Sequence, residues 1–263
     1  MRRRSSSGGL GRILVGIGIA IFALFSYFSS GQYNEVVGET QYVSITPNQE
    51  IALGLQSAPE LIREFGGEYR DPEVQEAIDT IGFDLVNNSI ARDEPWQWEF
   101  TVLDSDILNA FALPGGQVFI TTGMLSQLET IDEVAGVLAH EIVHVLARHG
   151  AQRIAQSELT NGLIGAVAVA SESASAAQTA AMISQLVNLQ YGRDDEIQSD
   201  TIGVCIMIQA GYDPMGMVGV QETLQSFSQG QRQPEFFSTH PNPENRIQQI
   251  ENTIANASTV CPR

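Results

Sequence analysis

Lysine is absent from this chain. All 13 basic residues are arginine, against 31 acidic residues, and the formal net charge is −18. Arg2, Arg3, Arg4 and Arg12 fall at the extreme N-terminus, which leaves 9 against 31, or −22, on the rest. A body so poor in positive charge repels phosphate backbones and anionic headgroups, which argues against nucleic acid as a partner. The acidity is read as a solubility device and carries no inference about substrate. Cysteine is nearly as scarce. Cys205 and Cys261 are too few for a disulfide scaffold and lack the paired spacing of a zinc ribbon. In an oxidising compartment they can form one bridge tying the C-terminal tail to a helix, and geometry decides whether they do. There is no internal repeat, no long linker and no second composition class, so one domain over residues 34–263 is the simplest parse.

What the chain does have begins at its N-terminus. A basic, Ser/Gly-rich tail, residues 1–12, is followed by 22 uncharged residues from Ile13 to Asn34. That length crosses roughly 30 Å of hydrocarbon as a helix, so residues 13–33 are read as a transmembrane anchor. Tyr27, Phe28 and Tyr33 fall where an aromatic belt sits, and the upstream arginines hold the N-terminus in the cytoplasm and send the body across. The competing reading is a cleaved signal peptide with Ser29 and Gly31 at the cut. The apolar run is longer than a signal core and no Ala-x-Ala occurs, which favours a retained anchor.

Beyond the anchor, helices are predicted over Pro47–Phe65 and Pro72–Ser89, each starting near a proline. Strands are predicted over Trp96–Leu103, Leu108–Leu113 and Gln117–Thr122, the last two joined by the turn Pro114-Gly115-Gly116. Thr130 and Glu133 form a capping box ahead of an apolar periodic run from Val134 through Ala155. The segment Asn161–Leu189 reads as a helical hairpin whose apolar stretch Gly162–Ala170 is too short to span a membrane; a plain packed helix is favoured over a surface that dips into lipid or binds substrate. Further helices are predicted over Asp194–Ala210, Pro214–Phe227 and Pro243–Ala257. Two helices, a small sheet and then more helices make an α+β fold.

Within the long helix lies His140-Glu141-Ile142-Val143-His144. Residues four apart share a helix face, so both imidazoles can bind one tetrahedral metal while Glu141 reaches a water on it as general base. Two unpaired imidazoles and a carboxylate would be costly to bury mid-helix without a metal. A catalytic zinc needs a third protein ligand. Ala147 and Gly150 occupy the places where a metzincin has its glycine and third histidine. His149, nine residues from His140, falls on the opposite side of a continuous helix and reads as structural. Glu196 and Asp200, one turn apart on a later helix, are the remaining candidates. One can bind the metal while the other holds an imidazole through its second nitrogen, and spacing does not say which.

Taken together, these residues resemble the HtpX/BepA-like zinc metallopeptidases, peptidase family M48, which also includes the CAAX prenyl endopeptidase. The resemblance rests on Asn109 to Gly116, the HExxH followed by Arg148-His149-Gly150, Arg193-x-x-Glu196-x-x-x-Asp200, Gly211-Tyr212-Asp213-Pro214, and Thr239-His240-Pro241 leading to Glu244-x-Arg246-Ile247. It implies a gluzincin-type, mostly helical domain holding one Zn2+ per chain on His140, His144 and Glu196, with Asp200 supporting a ligand. It further implies that His240 approaches the metal, either closing the open position at rest or steadying the oxyanion. Substrates would be polypeptides, by analogy misfolded or unassembled envelope proteins, lying extended along the strand Gln117–Thr122, which is read as a sheet edge although an interior strand would read the same. The chain departs in having Ser199 where the family has alanine, which is expected to be tolerated. It also has one span where HtpX and the CAAX endopeptidase have several, which argues against prenylated substrates. Two rival readings remain: a noncatalytic chaperone or assembly factor that keeps the fold, and an interaction module stabilised by structural zinc.

Overall fold

A computed structural model describes residues 7–171, 191–228, 235–240 and 245–261, which fall into two compact units. In the first unit, helix α1 (Ser7–Ser29) leads into a small antiparallel hairpin of β1 (Gly31–Asn34) and β2 (Glu39–Tyr42). Leu14, Ile21, Phe22, Phe25 and Phe28 on α1 are 60–72% exposed. The stretch Gly9–Ser29 is, among the described residues, the one helix long and apolar enough to cross a membrane. The hairpin has no apolar alternation, so the sequence offered no signal for it. Tyr33 lies on β1, beyond the helix end at Ser29.

The second unit carries α2 (Pro47–Glu64), α3 (Pro72–Asn87) and a three-stranded sheet of β3 (Glu99–Leu103), β4 (Ala110–Leu113) and β5 (Gln117–Thr121). The sheet order is β3-β5-β4, with β5 parallel to β3 and antiparallel to β4. The strand read as the substrate-binding edge is therefore the central one. All five of its residues are buried, as befits a strand flanked on both sides, and an apolar run does not distinguish edge from interior. The edge next to the site belongs to β4. The β4–β5 turn requires glycine: Gly115 and Gly116 have φ of +94° and +114°, and a Cβ on Gly115 would lie 2.4 Å from Cα of Ile51 on α2.

After the single turn α4 (Thr122–Leu125) comes α5 (Ile131–Leu146), with the capping box of Thr130 and Glu133 in place. Every residue of α5 from Ala135 to Leu146 is buried, so this helix is enclosed all round. It packs against α3, β4, α7 (Arg193–Ala210) and α8 (Met215–Ser228). The run expected to continue through Ala155 breaks instead. Arg148 adopts φ +51°, and a new helix, α6, covers His149–Ser171. The remainder of the segment read as a hairpin lies outside the described residues. The chain closes with α9 (Phe236–Thr239), α10 (Arg246–Ala255) and α11 (Ala257–Val260). The expected start of α10 at Pro243 also lies outside the described residues. Cys205 on α7 and Cys261 after α11 are joined in a disulfide, with Cα atoms 5.2 Å apart.

Candidate active site

The buried faces of α5 and α7 meet where glycine allows it. A Cβ on Gly203 would lie 2.8 Å from Cε of Met217 and 3.5 Å from the backbone nitrogen of His140. That close approach brings Glu196 and Asp200, on the first turns of α7, opposite the two histidines of α5. His240, at the end of α9, joins them. One ligand atom from each of His140, His144, Glu196 and His240 lies within 4.8 Å of the others, and all four residues are buried. Nε2 of His140 is 3.0 Å from Nε2 of His144, 3.4 Å from Oε2 of Glu196 and 3.4 Å from Nδ1 of His240. Nε2 of His144 and Nδ1 of His240 lie 3.5 and 3.1 Å from Oε1 of Glu196.

The outward nitrogens are also held. Nδ1 of His140 meets Oδ1 of Asp200 at 2.9 Å. Arg246, a fully buried guanidinium, grips that carboxylate from Nε at 2.6 Å and Nη2 at 2.9 Å, and its Nη1 is 3.2 Å from Oε2 of Glu196. On the other histidine of α5, Nδ1 of His144 meets Nδ1 of His149 at 2.9 Å, and Nε2 of His149 meets Oε1 of Gln198 at 3.0 Å. One set of tautomers satisfies this chain: His144 donates to His149, and His149 donates to the amide oxygen. His149 was placed across the helix from His140 on the premise of an unbroken helix. The left-handed Arg148 turns it back against His144 instead. Tyr191 stacks on the His144 ring at 4.0 Å, and Phe236 stacks on His240 at 4.4 Å. Neither aromatic was singled out in the sequence, and nothing in their spacing could have done so.

Electrostatics divide the histidines. Burial opposes charge on His140, but its hydrogen bonds to Asp200 and Glu196 outweigh it and push the pKa up to about 9. Burial and the neighbouring charge of His140 hold His144 well below its usual value. Burial raises Asp200, but Arg246 and His140 more than reverse that and leave it low. Glu141 goes the other way: burial raises it, and the nearby His240 and His140 only partly offset the shift. Both Glu141 oxygens and Nε2 of His240 are buried without a hydrogen-bond partner among the described residues, and the two side chains stand 3.6 Å apart. Orphaned buried polar groups cost about 1–3 kcal/mol each, and a divalent cation with its associated water offers such groups a partner. The residues present therefore fit a bound metal.

Known proteins are similar to this chain in sequence. Over 163 residues the chain is 34% identical to mitochondrial metalloendopeptidase OMA1 of Schizosaccharomyces pombe, covering 61% of this chain and 48% of that protein. It is 28% identical to OMA1 of Saccharomyces cerevisiae over 235 residues, or 87% of this chain and 63% of that one. It is likewise 28% identical to the beta-barrel assembly-enhancing protease of Escherichia coli over 193 residues, or 69% and 39%. The alignments thus span 39–63% of the length of these relatives, less than two thirds of each. The signature of Peptidase family M48, a family of metal-dependent peptidases, matches residues 72–254, which contain every side chain of the cluster. On that match, covering more than half of its length, the chain belongs to peptidase family M48.

Proposed function

We propose that this chain is a zinc metalloendopeptidase, tethered by α1, that cleaves misfolded or unassembled polypeptides on the far side of the membrane from its arginine-rich N-terminus. The observation that carries the reading is the convergence of four side chains able to bind a metal beside a buried Glu141 whose oxygens have no hydrogen-bond partner among the described residues. A set of imidazole and carboxylate donors suits zinc. His140, His144 and Glu196 would hold the ion, which when bound supplies Lewis acidity to the scissile carbonyl and the attacking water.

The protein's own groups do the rest. Glu141 takes the proton of the water and returns it to the leaving amine, and its raised pKa makes it a competent acid in the second half of that exchange. Asp200 accepts from Nδ1–H of His140, leaving Nε2 for the metal, and Arg246 keeps Asp200 in place. His149 accepts from His144 in the same way. His240, whose Nδ1 lies 3.4 Å from Nε2 of His140, would either close the open position of the ion at rest or steady the oxyanion during cleavage. The substrate backbone adds to the sheet along β4, the strand at the edge. The cytoplasmic arginines set topology, and the Cys205–Cys261 bridge suits an oxidising compartment. One relative is named a beta-barrel assembly-enhancing protease, which supports a role for proteolysis in protein assembly.

The test is metal content and casein hydrolysis of the full chain in detergent, for wild type and Glu141→Gln. One zinc per chain in both, with cleavage lowered about 10²–10⁴-fold in the variant, supports the reading. Absence of zinc from wild type sinks it. A second reading, a noncatalytic assembly factor, draws on the four-ligand closure by His240, since structural zinc sites have four protein ligands. Zinc without cleavage in both wild type and His240→Ala would establish that alternative.

A further inference from the structure

We propose that the second half of α6, residues 159–170, lies inside the bilayer alongside α1, so that the chain has two membrane-embedded elements. The inference rests on α1 being the anchor and follows from register. Within the first unit, α1 and α6 run antiparallel. The side chains of Tyr27 and Gln156 hydrogen-bond near one end, Ala23 meets Gly162 further along, and Gly16 meets Ala166 and Ala170 further still. The seam is close enough to demand small residues. A Cβ on Gly16 would lie 2.7 Å from the carbonyl oxygen of Ala166, and one on Gly162 would lie 2.7 Å from Cβ of Ala23. Small residues that let backbones approach are how helices pair in lipid, where apolar burial gives no drive.

Depth follows from counting. The span is Gly9–Ser29, and Gly16 lies thirteen residues, or about 20 Å, from its Ser29 end. If α1 crosses roughly 30 Å of hydrocarbon, Ala166 sits past the midplane. Composition agrees with that placement. Glu158, the last charged residue before the segment, is exposed near the shallow end, and residues 159–171 carry no charge. Val167 and Val169 are 49% and 37% exposed, and a Cβ on Gly165 would meet nothing within 4 Å. A groove of about 630 Å³ opens beside Glu158 and Leu159, walled by Phe22 and Phe25 of α1. Such apolar faces are costly in water and ordinary in lipid.

Thiol chemistry tests this in the full chain reconstituted in liposomes, because both native cysteines are paired in the disulfide. A membrane-permeant maleimide needs a thiolate, which does not form in hydrocarbon. Ile21→Cys reports the anchor, Glu76→Cys reports water, and Val169→Cys reports α6. The expected result is loss of labelling at Ile21→Cys and Val169→Cys alike, full labelling at Glu76→Cys throughout, and recovery of the first two in denaturing detergent. Labelling at Val169→Cys with Ile21→Cys protected overturns the proposal and leaves the anchor standing. Labelling at Ile21→Cys as well overturns the anchor, and the proposal with it.

Discussion

Single side chains in the metal cluster serve by fixing one another's protons. His140, with its pKa pushed up to about 9, carries a proton in the metal-free protein at neutral pH, between Asp200 and Glu196. A metal binds only the neutral imidazole, so apparent zinc affinity is expected to rise about tenfold per pH unit up to about pH 9, as measured by chelator competition. A flat profile would contradict the assignment. Stability of the metal-free fold takes the opposite sign. The folded pKa lies above the unfolded 6.5, so the contribution is complete below 6.5 and is lost as pH rises through about 9. His149→Ala is expected to weaken zinc binding about 10–100-fold, with partial recovery in His149→Asn, which can still accept from His144. Equal affinity in all three proteins would show that the contact to His144 orients nothing. Ser199 presents a buried hydroxyl with no hydrogen-bond partner among the described residues. Ser199→Ala should therefore raise stability by about 1 kcal/mol in chemical denaturation, and a loss would mean that the hydroxyl has a partner.

At the scale of elements, legibility depended on whether the signal was local. His140 and His144 four apart, the Thr130–Glu133 cap and the Pro114-Gly115-Gly116 turn are all read within one turn of chain; the structure sets the two imidazoles side by side and contains the cap and the turn. His149 was misplaced because one residue, Arg148, leaves the helical region, and no residue type forces that. Arg246 stood in a quoted motif with no role, since its contact to Asp200 spans 46 positions. The central place of β5 depends on which strands flank it, which an apolar run does not encode. Gly115 is the residue on which the sheet edge depends. Gly115→Ala combines a strained φ with a backbone collision at Ile51 and should cost about 2–4 kcal/mol, read as a lowered denaturation midpoint. An unchanged midpoint would show that α2 does not press on this turn.

For the whole molecule, the disulfide pins the C-terminal tail to α7, the helix that carries Glu196 and Asp200. Cys261→Ser is expected to cost about 2–4 kcal/mol, and the same loss should follow reduction of the wild type. The edge strand β4 has a wider consequence. It is only four residues long, Ala110–Leu113, and backbone groups on a strand face outward at alternate residues. On the proposed reading, a segment bound along β4 would be gripped at about two positions, through groups common to every amino acid. Such a grip reads almost no sequence. What it demands is a stretch of chain with its own backbone unspent, which a finished fold does not offer. Discrimination between clients then lies in the clients themselves, in how long each leaves a segment loose.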